Sequence, residues 1–342
     1  KGYESKIKCR TTTKTNKLLT IKIQSGVCMP KKEAELPTAS AIELLWVSRA
    51  WKAGKHNAFT DLCYFRQRYY LVFREASTHH SNDGMLRIMS SVQGKKWRTL
   101  AVLQNPDADL RDGKLTITPD GRLQLLAAAA FHDKTKQAYQ SYLWHSPDGK
   151  SWSEPQAAGE ADYWLWRLSW LGDQAYAVAY KCGADRHIRL YQQNSAGQFD
   201  VLAPRIYDQG YANEAALLFD KDNKAWCLLR KDPDHGQLGY AVTPYQHWNW
   251  LDIGCRIGGP KAIFTPSGQI LAVVRLYDQQ VRTSLVTLDQ NTGKLTELLA
   301  LPSGGDCSYA GMVLHQNKLL VSYYSSHQGR CSIYTALLSV EV

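Results

Sequence analysis

The chain has 342 residues, with 41 Lys or Arg against 31 Asp or Glu and a formal net charge of +10. Most of that charge is local: residues 1–32 carry nine basic residues against one Glu, and the other 310 are nearly neutral, at 32 against 30. A basic balance confined to one short segment excludes the extended basic face of a nucleic-acid-binding domain, and no apolar run is long enough to cross a bilayer as a helix.

Residues 1–40 are Lys- and Thr-rich with little apolar periodicity, and read as a loosely attached tail. Their most apolar run, LLTIKI, is short and contains Lys22, which is not the pattern of a secretory signal. Localisation is left open. The eight cysteines form no Cys-x-x-Cys pair and several fall inside apolar runs, so they read as buried free thiols.

From residue 42 onward the chain repeats. IELLWVSRAW, residues 42–51, is a strand-like segment that precedes the first repeat. HNAFTDLCYFRQRYYLVFREASTHHSNDGMLRIMSSVQGKKW, residues 56–97, then sets a pattern of a short apolar run, a polar turn and an alternating strand ending on Arg74. A loop and a third strand follow, and the unit closes on Trp97. The same order recurs around the turns TPDG, WLGD, FDKDN, TPSG and HQN. Equivalent points at Ser91, Ser146, Asn194, Thr243, Asp289 and Leu338 are 46 to 55 residues apart. A period near fifty with several strands per repeat predicts an all-β, six-bladed β-propeller of four-stranded blades over residues 41–342. The last repeat lacks a fourth strand, so residues 42–51 are expected to supply it by pairing with 331–340, which removes an exposed sheet edge. Outer strands of the other blades are expected to start near Trp97, Trp152, Phe199, Trp250 and Leu295.

In a propeller the first strand of each blade lines the axis. Counting back from each first turn puts Asn57, Asp112, Arg167, Glu214, Pro260 and Ser308 at its start, beside His56, Arg111, Trp164, Asn213 and Tyr309. Acids, arginines and aromatics inside a ring are suited to a ligand. The second strands of blades 1, 4 and 5 end in Arg74, Arg230 and Arg275. Arginines that converge on one cavity need an anion.

The chain resembles the sialidase (neuraminidase) superfamily over about 300 residues. HSPDGKSW at 145–152 is close to the Asp-box pattern Ser-x-Asp-x-Gly-x-x-Trp, one residue shorter. NEAALLFDKDNKAWCLLR resembles the sialidase segment that would make Glu214 the acid beside the nucleophile and Arg230 a member of an arginine triad. CSYAGMVLHQNKLLVSYY resembles the segment that would make Tyr309 the nucleophile. FREASTHHSNDGMLRIMSS resembles the loop that would make Asp83 the acid/base. The remaining triad arginine best matches Arg282 in RTSL, with Arg275 as competitor. The Arg-Ile-Pro that usually opens the first sialidase blade is absent: the position reads HNAFTDL, so either Arg74 substitutes from the next strand or His56 contacts a different sugar.

The resemblance implies an exo-acting, retaining glycoside hydrolase acting on a glycan with a terminal acidic sugar. Neutral tyrosine avoids the repulsion a carboxylate nucleophile meets at the anomeric carbon of a sugar acid, and Glu214 would take its proton. No phosphate loop, HExxH or Cys/His metal spacing is present, so neither a nucleotide nor a metal cofactor is expected. Two alternatives stand beside this reading: a polysaccharide lyase using His56 or Tyr309 as base, and a non-catalytic glycan-binding propeller.

Overall fold

The computed structural model describes residues 42–340. The basic segment 1–40, and the expectation that it is loosely attached, lie outside the described residues. Within 42–340 the structure is all strand, with no helix that is long and apolar enough to cross a membrane.

Twenty-four strands, β1 to β24 in chain order, form six antiparallel sheets of four. Blade 1 holds β2 (His56–Phe65), β3 (Arg68–Ala76), β4 (Met85–Ser91) and β5 (Arg98–Leu103). Blade 2 holds β6 (Ala108–Ile117), β7 (Leu123–Phe131), β8 (Tyr139–Ser146) and β9 (Gln156–Ala158). Blade 3 holds β10 (Tyr163–Leu171), β11 (Gln174–Lys181), β12 (Ile188–Gln193) and β13 (Phe199–Tyr207). Blade 4 holds β14 (Tyr211–Phe219), β15 (Ala225–Asp232), β16 (Gln237–Ala241) and β17 (Asn249–Asp252). Blade 5 holds β18 (Ile257–Phe264), β19 (Ile270–Leu276), β20 (Arg282–Leu288) and β21 (Leu295–Leu301). Blade 6 runs β22 (Cys307–His315), β23 (Lys318–Ser325), β24 (Ser332–Val340) and then β1 (Ile42–Trp51) as its outermost strand.

Each first strand packs against the first strands of both neighbours, which closes the ring. Closure is completed by β1, antiparallel to β24 from Ile42↔Val340 to Trp51↔Ile333. The outer strands start where expected, except that β9 begins at Gln156 rather than near Trp152. Pro155 has no N–H to give to a ladder, so pairing starts only after it.

Blades stack on both faces, and their middle strands are therefore buried on both sides. In β3 the run Tyr69–Phe73 is buried without alternation. Six apolar clusters fill the six blade-to-blade interfaces. The turn at 146–152 serves this packing: Asp148 Oδ1 accepts from the Lys150 and Ser151 amides at 2.8 and 2.9 Å, and Ser146 Oγ accepts from the Gly149 amide at 2.7 Å. The six described cysteines are all free.

One irregularity recurs in every blade. The pairing of first and second strands slips between Ala58 and Asp61, Arg111 and Lys114, Leu165 and Arg167, Ala212 and Ala215, Gly258 and Lys261, and Ser308 and Gly311. A β-bulge bends its strand and re-aims the extra side chain. Six bulges at one level turn Phe59, Asp112, Trp166, Glu214, Gly259 and Tyr309 out of the regular ladder. Phe59, Asp112 and Tyr309 take left-handed backbone there, with φ of 60°, 53° and 49°, a conformation that persists in non-glycine residues only where the surroundings impose it.

Candidate active site

A cavity of about 440 Å³ opens at the level of the bulges. Phe59, Asp112, Glu214 and Tyr309 come to it from four bulges, Trp164, Tyr139 and Tyr211 form aromatic walls, and Asp109, Arg111, Lys134 and residues 79–82 complete it.

Tyr309 and Glu214 meet in this cavity. The Tyr309 hydroxyl donates to Glu214 Oε1 at 2.5 Å, and Arg230 Nη1 donates to the same oxygen and to the tyrosine oxygen, each at 2.9 Å. Glu214 Oε2 accepts from the Gly259 amide at 2.7 Å. Gly259 has φ of 56°, and a Cβ there would lie 2.8 Å from the Tyr309 ring, so only glycine lets the amide reach the carboxylate past the ring. Burial holds the Tyr309 hydroxyl far above the usual phenol range, and the Glu214 charge adds to this while Arg230 and Arg275 oppose it. The hydroxyl is thus held as a neutral phenol, hydrogen-bonded to the Glu214 side chain.

Arg275 stands beside the pair, its guanidinium carbon 5.2 Å from the Tyr309 ring centroid. Its Nε donates to the Cys307 carbonyl at 2.7 Å, and its Nη2 donates to Tyr324 Oη at 2.8 Å and to Asp306 Oδ1 at 3.2 Å. Tyr324 Oη also donates to Asp306 Oδ1, at 2.6 Å. His56 Nε2 and His79 Nδ1 both point at Asp306 Oδ2, at 3.2 and 2.7 Å. His56 does not line the cavity, whereas His79 does. Asn57 ties strands together instead, donating to the carbonyls of Ala53 and Cys331 at 2.8 and 2.9 Å.

Arg74 is fully buried and forms a two-pronged pair with Asp109, Nε to Oδ1 at 2.7 Å and Nη2 to Oδ2 at 3.0 Å. Its Nη1 donates to the Thr78 carbonyl at 3.0 Å, so it holds the 77–83 loop rather than a substrate anion. Asp83 is exposed on that loop and does not line the cavity. Its carboxylate accepts from the Ser77 amide, the Ser77 hydroxyl and the Ser81 hydroxyl, and these bonds hold it well below the usual carboxylate range. The expectation that Asp83, Glu214 and Tyr309 converge is therefore corrected: two of the three do.

Two further arginines sit elsewhere. Arg282 begins the third strand of its blade and is paired with Asp278 at 2.7 Å and Glu297 at 2.6 Å, away from the cavity. Arg275, which ends a second strand, is the one that reaches Tyr309. Arg167 is buried on the axis with Asp61, Nη1 to Oδ2 at 2.7 Å, in a group that includes Lys114 and Lys261. Asp61 Oδ2 also accepts from the Leu115 amide at 2.8 Å, so this carboxylate ties blades 1, 2 and 3 together.

Asp112, found by counting along the repeat, is the free acid of the cavity. It is 7 % exposed, its Oδ1 has no partner among the described residues, and burial raises its carboxyl above the usual range, with Glu214 adding and Lys114 and Arg111 opposing. His79, Asp109 and Asp306 were not singled out from the sequence. His79 and Asp306 lie in the short polar stretches THHSND and SGGD, and that polarity is the signal the sequence offers for them.

No family model matches the chain, and no curated protein matches it. Among solved structures it is similar to a Dyadobacter fermentans protein of unknown function, with TM-score 0.80 and 17% identity over 88% of this chain and 100% of that one. It is similar to the Penicillium chrysogenum alpha-L-arabinanase complexed with arabinobiose, with TM-score 0.65 and 13% identity over 86% and 98%. It is also similar to the Trypanosoma rangeli sialidase in complex with sialic acid, with TM-score 0.61 and 12% identity over 85% and 56%. At these identities the likeness establishes the fold.

Proposed function

We propose that the chain is an exo-acting, retaining glycoside hydrolase in which the Tyr309–Glu214 pair carries the chemistry. The observation behind this reading is the 2.5 Å hydrogen bond between them inside a sugar-sized cavity. Tyr309 Oη attacks the anomeric carbon as Glu214 Oε1 takes its proton, and the leaving oxygen is protonated by a carboxylic acid that later deprotonates water. Asp112 suits that role better than Asp83, because it is buried, unpartnered at one oxygen and biased toward the protonated form. That two propellers of this fold hold arabinobiose and sialic acid supports a carbohydrate substrate. Glu214 in the cavity, with His56 outside it, favours hydrolysis over the lyase alternative.

The terminal sugar is read as neutral, in departure from the acidic sugar that the sequence resemblance implies. Arg74, Arg230, Arg275, Arg282 and Arg167 each already face a carboxylate. A substrate carboxylate needs cations that are not so engaged; of the two cavity-wall cations Arg111 and Lys134, Arg111 is paired with Asp109 and Lys134 lies over the Tyr139 ring. The cavity offers the carboxylates of Asp109, Asp112 and Glu214, which accept from sugar hydroxyls, and aromatic rings that pack on a sugar face.

The same pairing supports a second reading of the nucleophile. With a neutral sugar a carboxylate suffers no repulsion at the anomeric carbon, so Glu214 itself can attack, with Tyr309 orienting it. A screen of aryl glycosides of neutral pentoses, neutral hexoses and sialic acid tests the substrate class: preference for sialic acid would sink the neutral reading. Trapping with a fluorinated mechanism-based sugar, followed by mass spectrometry, separates the nucleophiles by placing the adduct on Tyr309 or on Glu214. Comparing Asp112→Asn with Asp83→Asn tests the acid; the larger loss belongs to Asp112.

A further inference from the structure

His56, His79 and Asp306 come from three separate places in the chain: the first residue of β2, the loop between β3 and β4, and the residue before β22. One ligand atom from each lies within 4.8 Å of the other two, and His56 Nε2 and His79 Nδ1 both face Asp306 Oδ2. We propose that these three side chains form a binding site for a divalent transition-metal ion of the zinc class at the rim of the cavity.

In a tetrahedral zinc site with metal–ligand distances of about 2.0–2.1 Å, ligand atoms stand about 3.3 Å apart. His56 Nε2 is already 3.2 Å from Asp306 Oδ2. His79 Nδ1, at 2.7 Å, has to open by about half an ångström to meet the same spacing. His79 is on a loop with its side chain 37% exposed, which leaves room for that movement.

Asp306 Oδ1 is held by Tyr324 at 2.6 Å and Arg275 at 3.2 Å, so only Oδ2 faces the imidazoles and its direction is set from behind. Carboxylate ligands of metals are oriented in this way by outer hydrogen bonds. The His56 Nδ1 atom has no partner among the described residues, so nothing on that nitrogen prevents Nε2 from presenting its lone pair. Two imidazoles and one carboxylate are a borderline donor set, suited to zinc, cobalt or iron rather than calcium or magnesium.

Three protein ligands leave a coordination position for water or a sugar hydroxyl, as in zinc sites that keep an open position. His79 is both a ligand and part of the cavity wall, so an ion held here reaches the substrate space. The proposal stands apart from the assignment of the nucleophile, because metal uptake is read without activity.

The test uses the full-length, untagged chain, stripped with a chelator and titrated with zinc chloride by calorimetry. A parallel titration with cobalt(II) chloride is followed by visible absorption. The expected result is one equivalent of metal that is missing from His79→Ala, together with cobalt d–d bands that vanish in that variant. His79 is exposed enough that the variant should fold, which its melting curve checks. Asp306→Asn is the second variant, expected to bind at least about tenfold more weakly. Absence of zinc uptake by the parent protein, or a His79→Ala chain with unchanged stoichiometry and affinity, overturns the proposal.

Discussion

Tyr309 and Glu214, 95 residues apart in the chain and on blades 6 and 4, share a 2.5 Å hydrogen bond at the centre of the ring. Arg230 donates to both of them. Burial and the Glu214 charge keep the phenol neutral, so proton transfer to the carboxylate has to accompany any attack by the tyrosine oxygen. Tyr309→Phe keeps the ring and its contacts with Phe59 and Trp166 and removes only the hydroxyl. The expected outcome is loss of turnover with an unchanged melting temperature. Glu214→Gln is expected to lower kcat by about 10²–10⁴-fold. Full activity in the phenylalanine variant would assign the nucleophile to Glu214.

Arg74 and Asp109 form a buried pair whose remaining Arg74 donors hold the Thr78 and Ser81 carbonyls. Arg74→Met leaves Asp109 with only its Arg111 contact, Nη1 to Oδ2 at 3.1 Å, and frees the loop that carries His79. Breaking a buried pair from one side costs about 3–5 kcal/mol. Urea denaturation should show this as a lower midpoint, and a variant within about 0.5 kcal/mol of the parent would show that surface-type energetics apply here.

Closure by β1 can be tested by shortening the chain. A chain beginning at residue 38 keeps all of Ile42–Trp51, whereas one beginning at residue 52 exposes the whole edge of β24. The first is expected to melt as the parent does. The second is expected to lose cooperative unfolding or to aggregate, as read by calorimetry and light scattering.

Lys261 sits on the axis near Asp61, Arg167 and Lys114, and burial, with Arg167 next, pushes its ammonium down to about 7. An unfolded lysine titrates near 10.5. Between these values the unfolded chain carries the proton and the folded chain does not, so unfolding takes up a proton and this group's contribution to stability rises with pH. The slope from one such group is at most about 1.4 kcal/mol per pH unit. Lys261→Met should flatten the stability curve between pH 7 and 10 and raise stability at pH 7 by about 1 kcal/mol. An identical curve for variant and parent would rule out a depressed lysine.

Much of the architecture was legible in the chain itself. The repeat gives six blades because each unit buries its apolar strands only by stacking on a neighbour, so strand, turn and strand recur in phase. The missing fourth strand in the last repeat and the spare strand at 42–51 pointed to the closure that β1 and β24 make. Counting along the repeat also found Asp112, Glu214 and the neighbourhood of Tyr309, because the bulge falls at the same place in every first strand. What the repeat does not encode is which side chains meet across the axis. Asp83 and Arg282 lie at the expected places in the sequence, yet Ser77 and Ser81 hold the one and Asp278 and Glu297 the other. The arginines that looked free for a substrate anion are each matched by a carboxylate from another segment. His56, His79 and Asp306, separated by up to 250 residues, show no spacing pattern, since ring closure alone brings the start of blade 1 against the start of blade 6. Tertiary structure decided these partnerships because charged groups taken out of water settle on the nearest opposite charge or donor, and that neighbour is a matter of position in space.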